Sequence, residues 1–228
     1  MVKGVSLGPG DPELLTLKGL KALLEADIVY YPGSISKGVR KSYVLPILTY
    51  HGIKEEVLRG FFLNMDDDRT QVKKVYETVA QEIVLQAKAG KQIVIVCEGD
   101  LSLYASFSYI LAHLQAANTE IELIPGVNSF SLAASQHQIP LSLLNDMVGV
   151  LPRVKSLEII KEYFEKFDTL ILMKVKTNWN EFYEALMHQQ WQLFYAERLG
   201  TAEEFITTDI RDLMDREIPY FSLLILKK

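Results

Sequence analysis

The chain has 228 residues, 49% of them hydrophobic, and a formal net charge of −5. That is enough apolar material for a buried core in one large or two small domains, and an acidic chain without a basic tract is not a general nucleic-acid binder. A single cysteine, Cys97, excludes an internal disulfide or a cysteine-built metal site; the N-terminus Met1-Val2-Lys3-Gly4 has no leader pattern and no stretch approaches the ~18 apolar residues of a membrane span, so a cytoplasmic protein is expected.

Val2 to Leu7 reads as a strand running into the tight loop Gly8-Pro9-Gly10-Asp11-Pro12. A helix follows over Leu14 to Leu24, opened by Asp11 or capped by Thr16, with Leu14, Leu17, Leu20, Leu23 and Leu24 as its apolar face. The loop lacks the lysine and hydroxyl of a phosphate-binding P-loop and the spaced glycines of a dinucleotide fingerprint, so taken alone it is a structural turn. Asp27 to Tyr31 forms a second strand, stopped by Pro32-Gly33-Ser34. From Ser34 to Arg69 the pattern is least periodic and carries Lys37, Arg40, Lys41, Lys54, Arg59 and Arg69. Such charges form a solvated face or meet an acidic ligand. Helical spacing returns from Gln71 to Ala89, and Gly90 ends it.

Ile93-Val94-Ile95-Val96-Cys97 reads as a strand buried on both faces. Glu98-Gly99-Asp100 then turns the chain into a helix from Leu103 to about Ala116. A glycine at the carboxyl end of a parallel strand lets a ligand reach the backbone, and the acid beside it can accept hydrogen bonds from an amine or hydroxyl; alternatively Asp100 is the helix N-cap. Strand Ile121 to Ile124 completes a half that alternates strand and helix, for which a parallel, doubly wound sheet is expected.

Ile124-Pro125-Gly126 marks a boundary between domains 1–124 and 125–228. Beyond it come helix Ser129 to Gln136, strand Met147 to Leu151, helix Ser156 to Phe164, strand Thr169 to Lys174 and helix Trp179 to Met187. Strands Leu193 to Ala196, Phe205 to Thr207 and Phe221 to Leu226 complete a second α/β unit of mixed strand direction. His51, His113, His137 and His188 show no metal-ligand spacing. Ser129 and Ser131 lack the Gly-x-Ser-x-Gly elbow of a hydrolase.

Four stretches, taken in order, resemble the tetrapyrrole methylase family over essentially the whole chain. They are Leu7-Gly8-Pro9-Gly10-Asp11-Pro12-Glu13-Leu14-Leu15-Thr16, Glu98-Gly99-Asp100, Ile124-Pro125-Gly126-Val127-Asn128-Ser129 with Ile139-Pro140-Leu141, and Glu197-Arg198-Leu199-Gly200-Thr201. Tyr31-Pro32-Gly33, Ser102 to Phe107, Leu172 to Val175 and Pro219 to Leu223 are similar to the branch acting on carbon 20 of precorrin-2 or cobalt-factor II. Glu98, Leu101 and Asn128 depart from the usual family pattern.

The resemblance implies two α/β domains with S-adenosylmethionine in the cleft between them, C-methylation in cobalamin biosynthesis, no protein-bound metal, and a homodimer. It implies cofactor contacts at Pro9, Gly99, Asp100, Leu103, Asn128, Ser129, Lys174 and Gly200, most of them through the backbone. A substrate rimmed with carboxylates calls for donors around the cleft, with Tyr104, Ser106, Arg40, Lys41 and Arg59 as candidates. Tyr104 is the one candidate catalytic side chain, since methyl transfer from a sulfonium rests on positioning. The alternatives are a methylase of the same fold acting at another tetrapyrrole carbon or on a non-tetrapyrrole acceptor, or a non-catalytic cofactor-binding relative.

Overall fold

A computed structural model describes residues 1–64, 69–177 and 179–228, the side chain of Arg69 excepted. The chain divides into two compact units, Met1–Asn128 and Ser129–Lys228, so Pro125-Gly126 belongs to the first.

The first unit comprises β1 (Val2–Ser6), a 3-10 turn (Pro12–Leu14), α1 (Leu17–Leu24), β2 (Ile28–Ser36), β3 (Val39–Lys41), α2 (Leu45–Tyr50), β4 (Leu58–Asn64), α3 (Arg69–Lys88), β5 (Ile93–Cys97), α4 (Phe107–Ala116) and β6 (Ile121–Ile124). Its sheet runs β4-β2-β5-β1-β6 with every neighbour parallel; only the short β3 is antiparallel, along the far end of β2. Alternation along the strands sends side chains to two cores. Ile93, Ile95 and Cys97 pack with Tyr76, Val79 and Ile83 of α3 and with Phe107, Ile110 and Leu114 of α4. Val5, Val94 and Val96 pack with Ala22 and Leu23 of α1 and with Ile47 and Leu48 of α2. Helices thus cover both faces, which is why β5 reads as an unbroken apolar run.

The local sequence signals misplace several elements. Asp11 accepts from the Glu13 N–H at 2.9 Å and Thr16 from the Gly19 N–H at 3.1 Å, so each caps its own turn. The helix therefore starts at Leu17 and buries Gly19, Ala22 and Leu23, while Leu17 and Leu24 are 86% and 62% exposed. Strand β2 does not stop at Pro32, because it pairs with β4 from Val29 to Ile35. On its other edge Pro32 falls between the β5 pairing, which ends at Tyr30, and the β3 pairing, which starts at Ser34, where a residue without an N–H is tolerated. The aperiodic stretch after Ser34 holds β3, α2 and β4. Helix α4 begins at Phe107 and not Leu103, since Asp100 caps no helix and the chain turns through 101–106 first.

The second unit comprises α5 (Ser129–Gln136), β7 (Val148–Pro152), α6 (Leu157–Phe164), β8 (Thr169–Met173), α7 (Trp179–Met187), β9 (Gln192–Glu197), β10 (Phe205–Thr207) and β11 (Ser222–Lys227). Its sheet runs β10-β9-β11-β8-β7, and only β7 and β8 are parallel, the mixed sheet expected from the sequence. Ile160 and Phe164 of α6 and Trp179, Phe182 and Leu186 of α7 pack on Leu170, Leu172, Tyr195, Leu224 and Leu226. Among the described residues no helix is long and apolar enough to cross a membrane.

Candidate functional site

In the first unit β1 and β5 are neighbours whose outgoing connections part. The chain leaving β1 continues into α1 on one face of the sheet, and the chain leaving β5 continues into α4 on the other. A crevice at the carboxyl ends of two such strands is where open parallel sheets bind ligands. Backbone bonds tie its floor: the Leu7 N–H to the Cys97 carbonyl at 3.0 Å, Gly8 N–H to Gly99 carbonyl at 3.1 Å and Gly99 N–H to Gly8 carbonyl at 2.7 Å. Gly8 and Gly99 hold φ of 81° and 66°, a conformation that costs other residues. A Cβ on Gly99 would meet nothing within 4 Å, so conformation and not space demands the glycine there.

Asp100 lies against this crevice, 7% exposed. Its Oδ1 accepts from the Ser102 N–H at 2.9 Å and from the Ser102 hydroxyl; its Oδ2 accepts from the Gly126 N–H at 2.8 Å and the Ser6 hydroxyl at 3.4 Å. Burial pushes the carboxyl up, but the Ser102 hydroxyl, the Gly126 and Ser102 N–H groups and the Ser6 hydroxyl together outweigh it and hold the carboxyl below its ordinary range. Ser6 is fully buried and its hydroxyl also accepts from the Leu101 N–H at 3.0 Å.

Several N–H groups along this rim are committed. Those of Gly8, Gly99, Leu101 and Ser102 are bound as described, and the Leu103 N–H reaches the Asp100 carbonyl at 3.3 Å. A carbonyl has two lone pairs, so the same rim still offers acceptors, beside an ionised carboxylate, to a ligand that brings amine, hydroxyl or cationic groups.

The other expected residues of this unit sort by position. Pro9 is buried, its carbonyl bound by the Tyr43 hydroxyl at 3.2 Å, and Leu103 is half-buried in the turn after Asp100. Tyr104, in the same turn, is 42% exposed at a φ of 52°, an outlier for an aromatic residue. Ser106 is exposed just before α4, and Asn128 follows β6. Strand β2 runs on past the end of its β5 pairing into the β2–β3 hairpin, which carries Arg40 and Lys41, both exposed. The Arg40 guanidinium sits 5.0 Å from the Phe62 ring centroid. A Cβ on Gly33 would lie 2.5 Å from that ring, and one on Gly60 2.7 Å, so these glycines make room for it. Arg59 is not brought to the group: it stands near the start of β4, its guanidinium donating to the Glu56 and Leu58 carbonyls.

In the second unit the register gathers Lys174, Gly200 and the Pro219-Tyr220-Phe221 stretch at one end of the strands, since Met173 pairs with Leu223 and Glu197 with Ser222. Lys174, Arg198 and Gly200 take φ of 59°, 48° and 71°. The Gly200 N–H is bound to Glu204 at 2.7 Å. Beneath this turn the buried Glu197 carboxylate accepts from Tyr195 at 2.5 Å and from two nitrogens of Arg216 at 2.6 and 3.2 Å, and Arg216 lies 3.8 Å from the Phe205 centroid. Ser129 opens α5. A cavity of about 330 Å³ lined by Leu186, Trp191, Leu193, Asp209 and Leu226 sits by the opposite ends of β9 and β11, and no expected site residue lines it. Among the described residues no cluster of His, Cys, Asp or Glu is placed to hold a metal ion.

Sequence reasoning missed Ser6, Tyr43, Phe62, Glu197's partner Arg216 and the coupling of Asp100 to Gly126. Only Ser6 left a signal, as a hydroxyl between Val5 and Leu7 in a strand otherwise apolar.

Residues 1–214 match the family model described as Tetrapyrrole (Corrin/Porphyrin) Methylases. The chain is 30% identical over 236 residues to a precorrin-2 C(20)-methyltransferase of Sinorhizobium sp., with 97% of this chain and 93% of that one covered. It is 34% identical over 184 residues to a probable cobalt-precorrin-2 C(20)-methyltransferase of Methanocaldococcus jannaschii, with 79% and 74% covered. Its fold is similar to that of a uroporphyrin-III C-methyl transferase from Thermus thermophilus complexed with S-adenyl homocysteine, at a TM-score of 0.64 and 20% identity, with 100% of this chain and 97% of that one covered.

Proposed function

Because the chain belongs to the tetrapyrrole (corrin/porphyrin) methylase family, we propose that it methylates carbon 20 of precorrin-2 or its cobalt complex in cobalamin biosynthesis, with S-adenosylmethionine as donor. The observation that carries the cofactor reading is the rim of the first unit's crevice, where the Gly8 and Gly99 turns bring backbone carbonyls to the ends of β1 and β5. This suits the amine and hydroxyl groups of S-adenosylmethionine. Pro9, Gly99, Leu103 and Asn128 are the cofactor contacts proposed for this unit; Ser129, Lys174 and Gly200 are those the family likeness assigns in the second.

Held by these residues, S-adenosylmethionine would supply an activated methyl group, transferred from its sulfur to carbon 20 with S-adenosylhomocysteine as the leaving group and the carbon 20 proton lost. The chain's residues need only align the two reactants at about 3 to 3.5 Å and exclude water. Asp100, with both oxygens bound by donors of the chain, is not the proton acceptor. Tyr104 and Ser106 follow the crevice in sequence, and Arg40, seated on Phe62, presents a planar cation suited to a carboxylate. These are the proposed substrate contacts; Lys41 shares the hairpin, and Arg59 drops out. The reading carries with it a cytoplasmic location and a homodimer, the latter tested by light scattering at micromolar concentration.

The test of the function is incubation with carbon-13 methyl-labelled S-adenosylmethionine and precorrin-2, its cobalt complex or uroporphyrinogen III, followed by mass spectrometry and nuclear magnetic resonance. Label on the bridge carbon is expected. Label on a pyrrole-derived ring carbon, or product from uroporphyrinogen III alone, would overturn the assignment.

A further inference from the structure

The sequence places Asp100 as a ligand contact or a helix cap, and the geometry fits neither. Each carboxylate oxygen already accepts two hydrogen bonds from the chain, and α4 starts only at Phe107. Ser102 belongs to the same turn, but the two partners of Oδ2 come from other strands: Ser6 ends β1 and Gly126 follows β6, so with Asp100 after β5 three adjacent strand ends are joined. Ser6 works in both directions, donating to Asp100 and accepting from Leu101. Gly126 is held so close that a Cβ on it would lie 2.6 Å from the Ser6 Cβ and 3.0 Å from the Gly99 carbonyl.

We propose that Ser6 and Asp100 form a buried staple that sets the rim of the crevice, so that both govern cofactor affinity while neither touches the cofactor. They are positioning residues, and the idea rests on the cofactor reading given above. A direct contact and a staple differ in what they discriminate. A carboxylate touching the sulfonium or the amine favours the charged donor over its uncharged thioether product. A staple shapes a rim that both ligands share.

The experiment is calorimetric titration of S-adenosylmethionine and S-adenosylhomocysteine into the full chain, as wild type, Ser6→Ala, Asp100→Asn and the double variant, with melting curves and amide exchange on each. In Ser6→Ala the affinity for both ligands should fall about tenfold and by the same factor, because two hydrogen bonds of the rim are lost. The double variant should cost clearly less than the product of the single losses, as for residues acting as one unit. Unchanged affinity in a folded Ser6→Ala protein, multiplicative losses, or a shifted preference between the two ligands would each overturn the staple. If the wild type binds neither ligand, the cofactor reading fails by itself, and exchange decides the staple. Faster exchange at Leu101 in Ser6→Ala and at Gly126 in Asp100→Asn supports it, and unaltered exchange at both refutes it.

Discussion

Replacing Gly126 by Ala tests the packing of the three strand ends most severely. The added methyl would sit 2.6 Å from the Ser6 Cβ, 3.0 Å from the Gly99 carbonyl and 3.2 Å from the Ser6 carbonyl. Carbon atoms prefer about 3.5 to 4.0 Å, so the end of β6 must retreat by roughly 1 Å from atoms that belong to a backbone or its first side-chain carbon and cannot swing away. Overpacking of this kind costs about 1–3 kcal/mol. The retreat also stretches the 2.8 Å bond from the Gly126 N–H to Asp100, worth about 1–3 kcal/mol when an acceptor is charged and buried. A loss near 4 kcal/mol follows, which lowers the melting temperature of a chain this size by roughly 8 to 16 °C. Differential scanning calorimetry measures that directly, and titration of the surviving folded protein with S-adenosylmethionine should show weakened binding. A Gly126→Ala protein that melts within 2 °C of wild type with unaltered affinity would refute the close packing on which the reasoning stands.

Gly99→Ala should cost about 1–2 kcal/mol through its φ of 66° alone, and Gly99→Asn less, because Asn tolerates that conformation; chemical denaturation that ranked Asn below Ala would contradict this. Asp100, whose carboxyl is held below its ordinary range, contributes stability that is present above the unfolded value of about 3.9 and is lost as the pH falls through the folded value. Melting temperature should therefore drop on acidification below about pH 4, and Asp100→Asn should flatten that drop; identical acid limbs would count against it. Arg40→Ala should raise the KM for the tetrapyrrole about tenfold without moving the dissociation constant for S-adenosylmethionine, and Arg59→Ala should move neither. Steady-state kinetics that reversed the two arginines would show that the stack on Phe62 is no anchor.

Strand β5 was legible because its signal is local: five apolar residues between Gln92 and Glu98 admit little else. Gly99 was legible for the same reason. Asp100 could be found but not understood, since its partners Ser6 and Gly126 stand 94 and 26 residues away and neither spacing belongs to any turn or helix. Pro32-Gly33 is a sound stop signal that the ladder with β4 overrides, and Gly33 is there for the Phe62 ring, on a strand the aperiodic stretch concealed. The leucines of α1 kept helical spacing, but a 3-10 turn ahead of Thr16 rotated which of them face the sheet. Arg40 and Arg59 look alike in sequence and separate only once one is seen on a hairpin and the other on carbonyls of its own turn.

The place of β1 in its sheet also bears on how the chain is born. Among the described residues this strand pairs only with β5 and β6, so it has no partner until Ile93–Cys97 has been made. At about 5–20 residues per second, Val2, Val5 and Leu7 wait on the order of ten seconds without their β5 and β6 neighbours. Strands β2, β3 and β4, by contrast, pair among themselves over a short span and can assemble meanwhile. The closing of the sheet is then an insertion of β1 between two strands made later, a long-range step that slows folding.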